Sequence, residues 1–159
     1  EERYNADLAN GLGNFTARVL ALAADAKNAN LNANDAKREI TDKINQTRET
    51  INKKLAEFKF NEAVAAIWDL IAFGDKYIND NKPWANELSA NRPDGEAIAD
   101  PRLRRDKSQI VFNGVAILDN IAALLKPFLP NTAEKITKAI NWENDKLRVQ
   151  KIPSLFPRL

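Results

Sequence analysis

Between residues 61 and 81 the chain places Ala63, Val64, Ile67, Trp68, Leu70, Ile71, Phe73, Tyr77 and Ile78 at helical spacings, on more than one side of the helix they define. A helix apolar on several sides has to be enclosed, so the stretch predicts a central element touched by several neighbours. Trp68 reads as core, with an indole N–H that then needs a partner. Lys59-Phe60-Asn61-Glu62 marks the start, with Asn61 as a candidate cap. Lys82-Pro83-Trp84 marks the end, because a residue before proline is pushed out of the helical region.

The neighbours also read as helices. Residues 4–25 carry Leu8, Leu12, Phe15, Val19 and Leu22 at spacings of three and four. After an asparagine-rich turn over 27–34, a helix from near Asp35 presents Ile40, Ile44, Thr47, Ile51, Leu55 and Phe58 as its buried edge. Its alternating charges mark a solvated face. Pro83 suits the first turn of a short helix over 84–90. Residues 91–106, with two prolines and a glycine, predict a loop ending in the basic cluster Arg102, Arg104 and Arg105. A helix from Asp106 to about Lys126 follows, with Ile110, Val111, Val115, Leu118, Ile121, Ala122 and Leu125 at core spacing, stopped by Pro127 and Pro130. Asn131 and Glu134 resemble a capping pair for a last helix to about Trp142, and 152–159 reads as an extended tail. Strand signals are poor. The predicted fold is all-α, a bundle of five to six helices forming one domain over residues 1–159.

Composition narrows the chemistry. The chain has no cysteine and no histidine, which excludes disulfides, thiolate metal sites and a cysteine nucleophile, and removes the usual general base. Asp94 and Glu96 form a carboxylate pair, but in a loop without an apolar pocket to raise either pKa. No phosphate-binding glycine loop or nucleophile elbow occurs. No catalytic, metal or cofactor-binding residue is therefore assigned. No uninterrupted apolar run approaches ~18 residues and no signal-peptide pattern opens the chain, which predicts no membrane partner and a cytoplasmic location. A net charge of +2 is small for coating duplex nucleic acid, so any such contact should be local. The absence of methionine, the initiator included, suggests a piece of a longer protein.

One row of residues is not needed for packing. Asn10, Asn14 and Arg18 sit at i, i+4 and i+8 on the first helix. Reading an unpaired base takes a flat apolar surface for its face and fixed polar groups for its edge. Trp84, pre-set by Pro83, can supply the first. Asn14 and Arg18 can supply the second, since asparagine donates and accepts while arginine offers only donors. Cytosine presents two acceptors and one amino group, which a donor-rich pair on one turn suits. Plainer roles fit the same residues: Asn14 bonding within the bundle, Arg18 in a surface ion pair, Trp84 covering a helix junction.

The segments NADLANGLGNFTAR (5–18), FNEAVAAIWDLIAFGDKYINDNKPW (60–84), LKPFLPNTAEKI (125–136) and LFPRL (155–159) occur in this order. Together they resemble the C-terminal anticodon-binding domain of the methionyl-tRNA synthetases, which are class I aminoacyl-tRNA synthetases. The similarity spans nearly the whole chain, although 27–58 and 91–106 match only in general character. The resemblance implies a helical bundle of the class I anticodon-binding type. It further implies that Trp84 stacks on the first base of the CAU anticodon, while Asn14, Arg18 and Pro83 contact that nucleotide and its surroundings. Asn10 receives a structural role only. The implied partners are the tRNA anticodon stem-loop and the catalytic domain of the same parent chain. ATP and methionine would bind that domain, expected N-terminal to residue 1, since neither a HIGH-type nor a KMSKS-type signature occurs here. The tail around Pro157 and Arg158 is a candidate for packing back on it. Asp75 departs from the pattern, because relatives commonly carry asparagine there. The alternatives are the anticodon domain of another class I synthetase, such as the leucyl or cysteinyl enzyme, and a helical protein–protein docking domain.

Overall fold

A computed structural model of the chain describes residues 4–25, 36–84, 101–143, 146–150 and 152–156, with the side chains at 4–7, 25, 101–106 and 142–146 outside that description. The turn at 27–34, residues 85–90 of the predicted short helix over 84–90, Asp94, Glu96 and the tail end at 157–159 fall outside it as well. The described residues form a π-helical segment Tyr4–Gly13 running into α1 (Asn14–Asp25), then α2 (Arg38–Ala56), α3 (Phe60–Asn81), α4 (Pro101–Leu125) and α5 (Pro130–Ala139). An antiparallel hairpin of β1 (Ile140–Glu143) and β2 (Lys146–Val149) follows, pairing Ile140 with Val149 and Glu143 with Lys146. The all-α bundle of the sequence reading is the fold, with this small hairpin added.

Five local expectations need correction. The first helix is not α-helical from Tyr4: its opening follows the i→i+5 pattern of a π-helix. At Gly13, where this segment ends, a Cβ would lie 3.1 Å from the Leu8 carbonyl oxygen and 3.5 Å from the Phe156 ring. Neither Asn61 nor Asn131 caps a helix; α3 starts after Lys59 and α5 after Leu129, both without a side-chain cap bond, and Pro130 opens α5. Helix α2 begins at Arg38, just beyond the predicted Asp35, and Phe58 does not join its buried edge. The helix ends at Ala56 and Phe58 turns into the left-handed region at φ 57°, which swings its ring out to 81% exposure. Helix α4 starts at Pro101, so the basic cluster lies on its first turns and not in a loop. The last helix stops at Ala139, where Leu147 and Val149 half-buried around an exposed Arg148 show the alternation of a strand, and the Gln150 N–H donates to the Ala139 carbonyl at 2.9 Å.

Helix α3 does touch α1, α2 and α4, yet α4 is the most enclosed element: Ile110 through Val115 are all buried, as are Ile117, Leu118, Ile121, Ala122 and Leu125. By length and composition alone, Lys107–Leu125 could cross a membrane, with a mean hydropathy of 1.5, but most of it is buried inside this bundle. Trp68 is half-buried against the core.

Two features fix the far end of α3. At Gly74 an added Cβ would meet the Phe15 ring at 2.6 Å and Ile117 at 3.0 Å, so only glycine lets α1 and α4 approach so closely. Buried Asn113 on α4 donates to the Tyr77 hydroxyl at 2.7 Å and accepts from the Lys37 backbone N–H at 3.1 Å and from Gln109 Nε2 at 3.3 Å. That network ties the start of α2 and the last turns of α3 to the core, with its buried polar atoms satisfied.

Candidate nucleic-acid interface

The close approach at Gly74 decides what happens one residue on. With Phe15 against Gly74, and Val19 and Ile78 both against Gly114, α1 lies close to the C-terminal half of α3. Arg18, on the outer side of α1, therefore reaches across to α3. Its Nη1 donates to Asp75 Oδ1 at 2.9 Å and to Asn79 Oδ1 at 2.8 Å. Asn79 Nδ2 in turn donates to Asp75 Oδ2 at 3.1 Å. Asp75 and Asn79 stand one helical turn apart and so share a face. The guanidinium side chain remains 38% exposed. Its bonds among the described residues leave from Nη1, so Nη2 and Nε keep donors for a ligand.

Asn14 is the first residue of α1, exposed, one turn before Arg18, and its side chain forms no hydrogen bond to a described residue. Asn10 is also exposed but belongs to the π-helical segment, whose longer turn takes it out of the straight row expected with Asn14 and Arg18.

At the end of α3 the Asn81 side chain donates to the Tyr77 carbonyl at 2.8 Å, and Lys82 adopts a left-handed conformation (φ 41°) while its N–H donates to the Ile78 carbonyl at 3.0 Å. This is how a helix ends before proline: the next residue has no N–H to continue it, and its ring bars the preceding residue from helical geometry. Pro83 is buried and Trp84 emerges 38% exposed. Chain geometry alone keeps the Trp84 Cα within about 14 Å of the Asn79 Cα. The Arg18 contacts and the Pro83–Trp84 backbone therefore lie toward the same C-terminal end of α3, and Asn14 lies a turn further back along α1. Sequence reasoning missed Asn79 and left Asp75 without a role, although their i, i+4 spacing beside the lysine-proline-tryptophan junction was available as a signal. No group of His, Cys, Asp and Glu among the described residues could hold a metal ion.

Comparisons with known proteins place the chain as a whole. Residues 37–157 match the family described as the anticodon-binding domain of tRNA ligase. A methionine–tRNA ligase of Methanopyrus kandleri is 31% identical over 144 residues, 90% of this chain and 20% of that protein. One from Clostridium acetobutylicum is 31% identical over 148 residues, 91% of this chain and 21% of that protein. The chain thus spans about a fifth of the length of these curated relatives. Among solved structures, Mycobacterium tuberculosis methionyl-tRNA synthetase bound by methionyl-adenylate superposes with a TM-score of 0.77 at 19% identity, over 98% of this chain and 32% of that one. Its free form gives 0.75 at 20% identity, over 99% and 33%. At that identity the structures speak for the shared fold.

Proposed function

The chain belongs to the family of anticodon-binding domains of tRNA ligases, and from that premise we propose that it reads the CAU anticodon of methionine tRNA for a methionine–tRNA ligase. The observation that supports the reading is that an exposed indole follows the C-terminal end of α3, the end at which Arg18 is held through Nη1 while Nη2 and Nε make no bond to a described residue. Trp84 stacks on the unpaired first base. The Nη2 and Nε edge of Arg18 matches the adjacent O2 and N3 acceptors of cytosine, where uracil would present an N3–H and oppose it. Asn14, able to donate and accept, takes part of the remaining edge, and buried Pro83 fixes the direction in which Trp84 leaves the helix. Lysines and arginines elsewhere add attraction to phosphate without selecting a base.

In this reading activation of methionine with ATP belongs to a catalytic domain elsewhere in the parent chain, and this module supplies selection of the tRNA. Binding of matched CAU and UAU anticodon stem-loops at fixed salt tests it. Arg18→Ala is expected to abolish the preference for CAU; a variant that prefers CAU as strongly as the parent would refute the role of Arg18. A panel of other anticodon loops separates a methionine-specific module from one serving another class I synthetase.

A further inference from the structure

We propose that Asp75 and Asn79 are positioning residues for Arg18, closing a hydrogen-bonded ring that turns a flexible cation into an aimed donor. The inference rests on the base-reading role given to Arg18 above. In the ring both Asp75 oxygens accept, one from Arg18 Nη1 and one from Asn79 Nδ2, while Asn79 Oδ1 accepts from the same Nη1. The carboxylate fixes which way the Asn79 amide points, because only its oxygen can face the guanidinium once its NH2 faces Asp75. With Nη1 held from two sides, the plane of the guanidinium is set and Nη2 and Nε become the reading edge.

Hydrogen-bond bookkeeping makes the two positions interdependent. Arginine brings only donors, so the ring closes best with one acceptor-only group and one carboxamide on α3. Two carboxamides close the ring only if one oxygen accepts from both Arg18 and the other amide, and they give Arg18 no charged acceptor. Two carboxylates one turn apart repel each other. Aspartate at 75 with asparagine at 79 satisfies the rule, and so does the exchanged pair. The carboxylate also offsets the charge of Arg18, so the arginine acts through orientation more than through attraction to phosphate.

The test uses the 159-residue chain and four variants, Arg18→Ala, Asp75→Asn, Asn79→Asp and the exchange Asp75→Asn with Asn79→Asp. Each is titrated with CAU and UAU anticodon stem-loops over a salt series, with thermal melts alongside. Asp75→Asn should cut the CAU-over-UAU preference by about tenfold, the worth of a hydrogen bond to a charged group. It should also steepen the dependence of log affinity on log salt by up to about 0.9, the share of one newly available cation. The exchange should restore both the preference and the slope. A loss of stability alone would shift the melts and leave the preference ratio and its rescue unmoved. Asp75→Asn with the parent's preference, or an exchange no better than Asp75→Asn, would overturn the positioning role. Retained preference in Arg18→Ala would instead overturn the base-reading role on which it rests.

Discussion

The two ends of α3, roughly 30 Å apart by helix rise, both carry exposed aromatics beside a left-handed residue, yet they are built for different things. At the N-terminal end Phe58 and Phe60 are 81% and 54% exposed and meet edge to face, with centroids 6.5 Å apart. The charges around them are consumed locally: Lys54 pairs with Glu62, and Lys59 Nζ lies 2.8 Å from Glu57 Oε2. The hydrogen bonds from Lys59 and Lys54 hold the carboxyls of Glu57 and Glu62 below their usual range, so both stay ionised at neutral pH. This end offers ring faces flanked by carboxylates that repel phosphate and are already paired with lysines. At the C-terminal end the left-handed Lys82 leads through a buried proline to Trp84, and one to two turns earlier Asp75 and Asn79 hold Arg18 with part of its donor edge unused. An exposed ring can read a base only with oriented polar groups next to it.

The contrast gives graded expectations. Trp84→Ala should weaken binding of a CAU stem-loop by about 1–3 kcal/mol, the usual worth of stacking one base. Replacing both Phe58 and Phe60 by alanine should leave that affinity at the parent's value, and a comparable loss there would erase the distinction between the ends. Gly74→Ala sharpens it from the other side. The added methyl meets Phe15 and Ile117, and overpacking of this kind costs about 1–3 kcal/mol of stability in a denaturant titration. Because the clash is with α1, CAU preference should fall with it. Asn113→Ala leaves the Tyr77 hydroxyl and the Lys37 N–H without their partner and should cost about 1–3 kcal/mol of stability.

The smallest effect concerns pH. Burial pushes the Asp119 carboxyl up, so its folded-state penalty is absent below the ordinary carboxylate range and grows as pH rises through the raised value. Asp119→Asn should therefore raise Tm at pH 7 by less than about 4 °C, with the gain vanishing in acid and base preference unchanged. The Glu57 and Glu62 pairs run the opposite way. Their contribution is present above the ordinary range and is lost as pH falls through the depressed values.

How much of this was legible in the sequence follows from the range of the interactions. Periodicity exposed the helices and the core faces of α2 and α4, because burial repeats every three or four residues within one element. Pro83 marked the end of α3, since proline acts on its immediate neighbour. The Arg18 ring was hidden: its members lie 57 and 61 residues apart, and only the tight packing at Gly74 brings them together. Phe58 sits at helical spacing from Leu55, but one left-handed residue removes it from the face that spacing implies. The hairpin was missed because Ile136 and Ile140 continue a helical repeat, while the competing signal in Leu147, Arg148 and Val149 spans only three residues.

A structure of this chain bound to a CAU anticodon stem-loop tests the central proposition most directly. The first anticodon base should lie flat on the Trp84 indole, with its O2 and N3 facing Nη2 and Nε of an Arg18 still joined to Asp75 and Asn79. A loop seated on the Phe58–Phe60 end, or a first base turned away from Arg18, would contradict it.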